Sequence, residues 1–192
     1  MKSSPKVRIL TISKHLFYEN GYYHTGINQI IKEAGTAKAS FYDHFSSKED
    51  LGIHVIRSYG RDILVWFRHI LYQSKDPKQF VKVFSKAVRA QIRSDISYYQ
   101  GCPIAVFSCQ FPVGKQPFSV EFQSIAKNWE MVIDRKLSKW KDNQSLPKNL
   151  NSLSVTRKMI NVYEGGLMNW RITLDESYIT QMEIQIKELL LI

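Results

Sequence analysis

The chain has 192 residues, 44% hydrophobic and 23% charged, a balance that excludes a disordered chain. A chain this long buries about 70% of the surface it exposes when unfolded, so it needs no disulfide or metal staple, and one or two domains are expected. Lys and Arg outnumber Asp and Glu by 27 to 17, and the formal charge of +10 favours an acidic partner such as nucleic acid or an anionic surface.

Turn-rich punctuation divides the sequence into helix-length pieces. Ile9, Ile12, Leu16 and Phe17 follow i, i+3, i+7, i+8 spacing and predict an amphipathic first helix, ended by Asn20-Gly21. Ile27, Ile30, Ile31 and Ala34 predict a second helix of two turns, closed by Gly35. Phe41 and Phe45, one turn apart, mark a short third. Ser46-x-x-Glu49 reads as a capping box opening a fourth, from about Lys48 to Leu71. Asp76-Pro77 starts a fifth, with a stripe of Phe80, Val83, Phe84, Ala87, Val88 and Ile92.

Pro103 opens a short apolar helix through Phe111, and Pro117 precedes a long one carrying Phe118 to Trp140. Residues 142–149 read as a loop. Ser154 to about Leu174 is another helix, and Thr173-x-x-Glu176 caps the last. Nine or so helices with no convincing strand give an all-α fold class. The longest apolar runs, such as Leu189-Leu190-Leu191-Ile192, fall well short of the ~20 residues a membrane span needs. The start Met1-Lys2-Ser3-Ser4-Pro5-Lys6 has no apolar stretch of signal-peptide length behind it, so a cytoplasmic protein without a membrane partner is expected.

Cys102 and Cys109 stand seven residues apart, which on a helix is about 10.5 Å along the axis and beyond disulfide reach. They read as small buried hydrophobes, with a thiol redox sensor as the alternative. No third Cys or nearby His joins them, so neither a metal nor another cofactor is expected.

The first forty-odd residues are the most informative. Three helices, the last two short and joined by Gly35-Thr36-Ala37, describe a helix-turn-helix. In that unit the third helix enters the major groove, which is wide enough for one helix, while the second crosses the backbone. Ile27, Ile30 and Ala34 against Phe41 and Phe45 would hold the crossing angle. Charge alone argues weakly for DNA, because it is spread as +3 over residues 1–58 and +7 over 59–192.

Several stretches together resemble the N-terminal domain of TetR-type transcriptional repressors. They are Phe17-Tyr18-Glu19-Asn20-Gly21-Tyr22, Thr25-Gly26-Ile27-Asn28-Gln29-Ile30, the run from Ala34 to Phe45, and Ser47-Lys48-Glu49-Asp50-Leu51. The match covers about residues 7–52 with every spacing intact. The resemblance implies a helix-turn-helix DNA-binding domain at 1–50 and a larger α-helical effector-binding and dimerisation domain at 51–192.

The resemblance also implies roles for single residues. Thr25 would cap the second helix and hold a phosphate. Lys38 would reach a base edge or phosphate, Ser40 a base or phosphate, Tyr42 the DNA backbone, and Lys48 a second phosphate. Thr36 and His44 belong to the same DNA-facing set, and Lys2, Lys6 and Arg8 would add long-range attraction. Thr36-Ala37 stands where Val-Ser is usual, so the expected Ser cap of the third helix is missing. Ala caps worse than Ser by about 1 kcal/mol, and Thr36 is the alternative cap. Gly26 removes a possible phosphate donor, and Asp43 adds a negative charge near DNA.

In the C-terminal part, the resemblance implies an effector pocket that is apolar with a few polar groups. Tyr98 to Phe107 is the local candidate for one wall, with Phe107 and Phe111 a turn apart, Gln110 as an orienting donor, and Trp129 and Met168 as further walls. Gly165-Gly166 lies inside an otherwise helical segment, at a cost near 1 kcal/mol each relative to Ala, and suggests a close approach. The resemblance places the last two helices in a homodimer interface whose apolar seam includes Ile179, Met182 and Ile186. An intramolecular helix pair is the other reading of the same residues.

The expected protein is a ligand-responsive regulator, most simply a repressor. It would bind a near-palindromic double-stranded operator as a homodimer and be released by a small, mostly apolar effector, with the long fourth helix as the lever. No zinc spacing, phosphate loop or nucleophile elbow argues for an enzyme. A basic helical protein on anionic lipid would share the charge but leave the helix-turn-helix spacing unexplained.

Overall fold

The computed structural model describes residues 3–94 and 99–192. Among these it has nine α-helices and no strand: α1 (Pro5–Glu19), α2 (Ile27–Glu33), α3 (Lys38–Tyr42), α4 (Lys48–Gln73), α5 (Pro77–Ser94), α6 (Pro103–Ser108), α7 (Phe118–Asp142), α8 (Ser152–Thr173) and α9 (Ser177–Leu189). None is long and apolar enough to cross a membrane.

Helix ends explain where the sequence reading slipped. Ser4 caps α1 by accepting from the Val7 N–H, with Pro5 inside the first turn, and Gly21 leaves the helix at φ +86°. The cap of α4 is Ser47 rather than Ser46: the Ser47 hydroxyl accepts from the Asp50 N–H at 3.0 Å, and the Asp50 carboxylate accepts from the Ser46 N–H at 2.9 Å. Asp76 caps α5 as expected, accepting from the Gln79 N–H at 2.8 Å. Thr173 does not cap α9. Its hydroxyl turns back to the Asn169 carbonyl, and Asp175 accepts from the Ser177 N–H at 2.8 Å instead. Leu174 at φ +56° makes the turn between α8 and α9.

The chain divides into two compact units. The first takes in residues up to 62 together with 103–125. Its core is Ile9 and Phe17 of α1, Ile30 of α2, Phe41, Phe45, and Leu51, Val55 and Ile56 of α4, all essentially inaccessible. Segment 103–125 joins this unit because it supplies missing aromatics. Phe107 stacks on Phe17 with ring centroids 5.8 Å apart, and Phe111 stacks on Phe118 at 4.3 Å. Each fully buried ring of this kind contributes on the order of 2–3 kcal/mol. Gly52 permits the packing: a Cβ there would lie 3.0 Å from both Tyr22 and Phe118.

The second unit comprises 63–102 and 126–192. Its core is an aromatic chain in which Phe80 stacks on Phe84 (5.4 Å), Phe84 on Phe67 (6.3 Å), and Phe67 packs at a tilt on Trp129 (6.1 Å) and edge-on with Tyr163 (5.7 Å). Trp140 donates its indole N–H to the Lys75 carbonyl at 3.0 Å, and Lys136 donates to the Ser74 carbonyl at 2.9 Å, so α7 satisfies the segment that follows α4. Helix α9 packs on α8 and α5.

Candidate nucleic-acid interface

In the first unit, α1, α2 and α3 pack on one another and leave one face of α3 exposed. Phe41 is fully buried and touches Phe45 at 5.9 Å, and Phe45 meets the edge of the His54 ring at 5.3 Å. That anchor fixes the rotation of α3. Lys38 and Tyr42, four residues apart and therefore on one face, then point outward, with Tyr42 48% exposed. Ser40 and His44 are half-buried at the edge of this face, and Asp43 is exposed. The sequence's grouping of Lys38, Ser40 and Tyr42 on one short helix is therefore realised.

The turn before α3 is held by a residue the sequence reading assigned elsewhere. Gly35 sits at φ +58°, a conformation that suits glycine. Arg8 reaches from α1 and donates through Nε to the Ala34 carbonyl (3.0 Å), through Nη2 to the Gly35 carbonyl (3.2 Å) and through Nη1 to the Ser3 carbonyl (2.7 Å). Beyond the long-range attraction expected of its charge, Arg8 braces the α2–α3 turn. A planar fork with several donors suits this task, and α-helical spacing carries no signal for it.

Two threonines also depart from expectation. Thr25 does not cap α2: it is fully buried, and its hydroxyl donates to the Gly21 carbonyl at 2.8 Å. Gly26 is the α2 N-cap, without a side-chain bond, because Thr25 is turned inward to close the end of α1. Thr36 does not cap α3, whose N-cap is Ala37, and the Thr36 hydroxyl is buried without a partner among the described residues. The first turn of α3 therefore carries no side-chain cap.

Lys48 is half-buried, with its ammonium 4.6 Å from the centre of the Tyr22 ring. Burial lowers its pKa, and burial, then Glu49 and Tyr23, push the Tyr22 phenol up to about 12. Lys48 thus packs over an aromatic ring at the start of α4.

The residues expected to line an effector pocket do not come together in one unit. Phe107, Gln110 and Phe111 belong to the first unit, and Trp129 and Met168 to the second. Phe107 is core. Gln110 is a tie: its Oε1 accepts from the Tyr22 N–H at 2.6 Å and its Nε2 donates to the Phe17 carbonyl at 3.2 Å, closing the C-terminal end of α1. Phe111 borders a surface cleft of about 470 Å³ with Cys109 and Val113. Trp129 is buried with its indole N–H unpaired among the described residues, and Met168 is 39% exposed. Tyr98 lies outside the described residues. Cys102 is buried and Cys109 exposed, and the two are not joined to each other by a disulfide.

The seam expected between two subunits is occupied within one chain. Ile179, Met182 and Ile186 are at most 1% exposed, buried in the α8–α9 pair. Gly166 gives the close approach the sequence suggested: a Cβ there would lie 3.1 Å from the Met182 Cβ. Gly165 is exposed with nothing near its missing Cβ.

Residues 9–55 match the family model described as bacterial regulatory proteins, tetR family. The HTH-type transcriptional regulator LmrA of Bacillus subtilis (strain 168) is 30% identical over 162 residues, covering 84% of this chain and 83% of LmrA. The chain belongs to the TetR family. The HTH-type regulator YxaF of the same organism is 29% identical over 87% of this chain and 85% of its own length. Among solved structures, Escherichia coli NemR in its reduced form superposes with a TM-score of 0.85 at 16% identity, covering 97% of each chain. A Streptomyces coelicolor TetR-family regulator, SCO4454, gives 0.83 at 19% identity over 97% of this chain and 94% of its own, which establishes the shared fold. As a TetR-family transcriptional regulator the protein reads DNA through a helix-turn-helix, and α2–α3 is that element.

Proposed function

We propose that this TetR-family regulator is a homodimeric repressor that binds a near-palindromic operator and is released by a small, mostly apolar effector. The observation that carries the reading is the exposed Lys38–Tyr42 face of α3, set on the buried Phe41–Phe45 anchor and braced by Arg8. Lys38 and Ser40 would contact base edges or phosphates and Tyr42 the backbone. Thr25, fully inward, leaves this set.

Exposed apolar residues on the last two helices support a second copy as the dimer partner. Gly165, Met168 and Ile172 form a stripe on α8, and Tyr178 and Ile184 are exposed on α9. For the effector, the second unit offers a nearly filled apolar cavity of about 10 Å³ lined by Phe67, Phe84, Met159 and Tyr163 among others. The indole N–H of Trp129, the Thr156 hydroxyl and one oxygen of Glu164 are buried in that unit without partners among its described residues. An effector entering there would displace side chains, and α4, which contributes residues to both units, would carry the change.

The test is fluorescence anisotropy with DNA flanking the protein's own gene, against random DNA of equal length, over a salt series. The expected preference is roughly a thousandfold or more. Tyr42→Ala should weaken operator binding by at least about tenfold while dimer mass in sedimentation is unchanged. Equal binding to both DNAs, or unchanged operator affinity in Tyr42→Ala, would overturn the reading.

A further inference from the structure

Helices α5 and α9 of the second unit border an open groove of about 790 Å³, a volume in the range of small-molecule sites. Val81, Ala90 and Ile192 give it an apolar lining, and six cations stand along it. Three of the six are already matched. Arg89 donates to Glu183 at 2.8 Å, Lys187 donates to the other oxygen of the same carboxylate at 2.8 Å, and Arg93 holds Glu176 through two bonds of 2.9 and 2.5 Å. Lys78, Lys82 and Lys86 are the other three. They are exposed, follow one another at four-residue intervals along α5, and make no ion pair among the described residues.

A second observation points to the same place. Ser85, on the groove wall, is only 3% exposed, and its hydroxyl has no hydrogen-bond partner among the described residues. Buried hydroxyls are rarely left unsatisfied, and exceptions ask for an explanation. A ligand oxygen seated between Ser85 and the lysine row would supply one.

We propose that the α5–α9 groove binds a single-chain amphiphile with an anionic head, a carboxylate or phosphate on an alkyl tail. The lysine row meets the head, and the apolar lining takes the tail out of water. A polyanion such as nucleic acid would have no use for the apolar lining, and a flat bilayer surface would not enter a concave groove. The site shares no residue with the DNA-reading helix or with the residues assigned to effector release. It is therefore tested without DNA, and its failure would leave the operator reading untouched.

Isothermal titration of the full chain with decanoate, dodecanoate and dodecyl phosphate, all below micelle formation, tests the proposal. Dodecanol and inorganic phosphate serve as half-ligands. The variants are Lys82→Glu/Lys86→Glu, which reverses charge at two exposed positions without an ion pair among the described residues, and Ala90→Phe, which fills the lining. Thermal melts of both variants verify folding, with Lys82→Ala/Lys86→Ala as the milder replacement if the reversal unfolds.

The expected result is one saturable site per chain, with affinity rising about two- to fourfold per methylene. Each half-ligand should bind at least tenfold more weakly, and each variant should lose at least tenfold. Whichever head binds tighter, carboxylate or phosphate ester, identifies the class. Undiminished dodecanoate binding in both variants would overturn the proposal by placing the amphiphile elsewhere. Inorganic phosphate binding as tightly as dodecyl phosphate would do so by showing a bare anion site. Binding to phosphatidylglycerol vesicles but to no monomeric amphiphile would show a membrane surface instead.

Discussion

Gln110 distinguishes a structural tie from a ligand contact, and replacing it is the sharpest single test of the architecture. The Tyr22 N–H follows Gly21, whose φ of +86° takes the chain out of α1, and it has no backbone acceptor among the described residues. Its bond to Gln110 is short, at 2.6 Å, and Gln110 also closes the Phe17 carbonyl at the end of α1. Gln110→Ala removes two bonds worth about 1 kcal/mol each, and leaves a part-buried donor unsatisfied, which adds on the order of another 1 kcal/mol. A loss of about 2–3 kcal/mol lowers Tm by roughly 5–10 °C in a chain of this size. Gln110→Glu keeps an acceptor for Tyr22 but turns a carboxylate toward the Phe17 carbonyl. It should be destabilised at neutral pH and recover toward pH 4, where a protonated carboxyl, with an ordinary pKa of about 4.3, donates again. Thermal melts followed by far-UV circular dichroism at both pH values read this out. A Tm within about 1 °C of wild type for Gln110→Ala, accompanied by lost effector response, would refute the tie and restore Gln110 as a ligand residue.

Two further outcomes follow. Arg8→Ala should lower operator affinity and cost about 1–2 kcal/mol of stability, because three carbonyls lose their donor, and Arg8→Lys should not rescue it, since one ammonium cannot span all three. The salt dependence of binding should keep its slope in that variant, whereas a drop of about one would show that Arg8 touches a phosphate. Burial raises the Glu164 pKa, and a hydrogen bond from the Cys102 thiol opposes the rise only in part. Because the folded pKa lies above the unfolded one, stability is lost as pH rises from the unfolded value through the folded one. Glu164→Gln should therefore raise Tm at pH 7 and change it little near pH 4; an equal shift at both values would mean that ionisation is not what the site resists.

The sequence made the helices legible because most of their signals are local. Periodic apolar positions such as Phe80, Phe84, Val88 and Ile92 define a face, and Asp76-Pro77 and Asn20-Gly21 mark ends through chemistry confined to a few residues. Where two caps competed, local reasoning chose wrongly. Ser46 and Ser47 both precede an acidic residue by three, and only the structure shows Asp50 rather than Glu49 completing the box. Thr173 was lost the same way: its hydroxyl donates back to the Asn169 carbonyl and accepts from the Asp175 N–H at 3.2 Å, in the turn before α9 rather than in its first turn.

The candidate site divides along a similar line between local and long-range information. Lys38 and Tyr42 were legible because one turn of helix places them together and Phe41 between them must point inward. Thr25, Arg8 and Gln110 were not, because each role depends on carbonyls or amides that unsatisfied helix ends present from a distance of 4 to 93 residues. Periodicity is silent about those groups. The same limit governs Ile179, Met182 and Ile186, since an apolar stripe says that a helix face is covered without saying by what. Gly166 beside Met182 supplies the missing fact, a close approach within the chain, and thereby frees the outward residues Met168, Ile172 and Ile184 as the surface a second subunit would use.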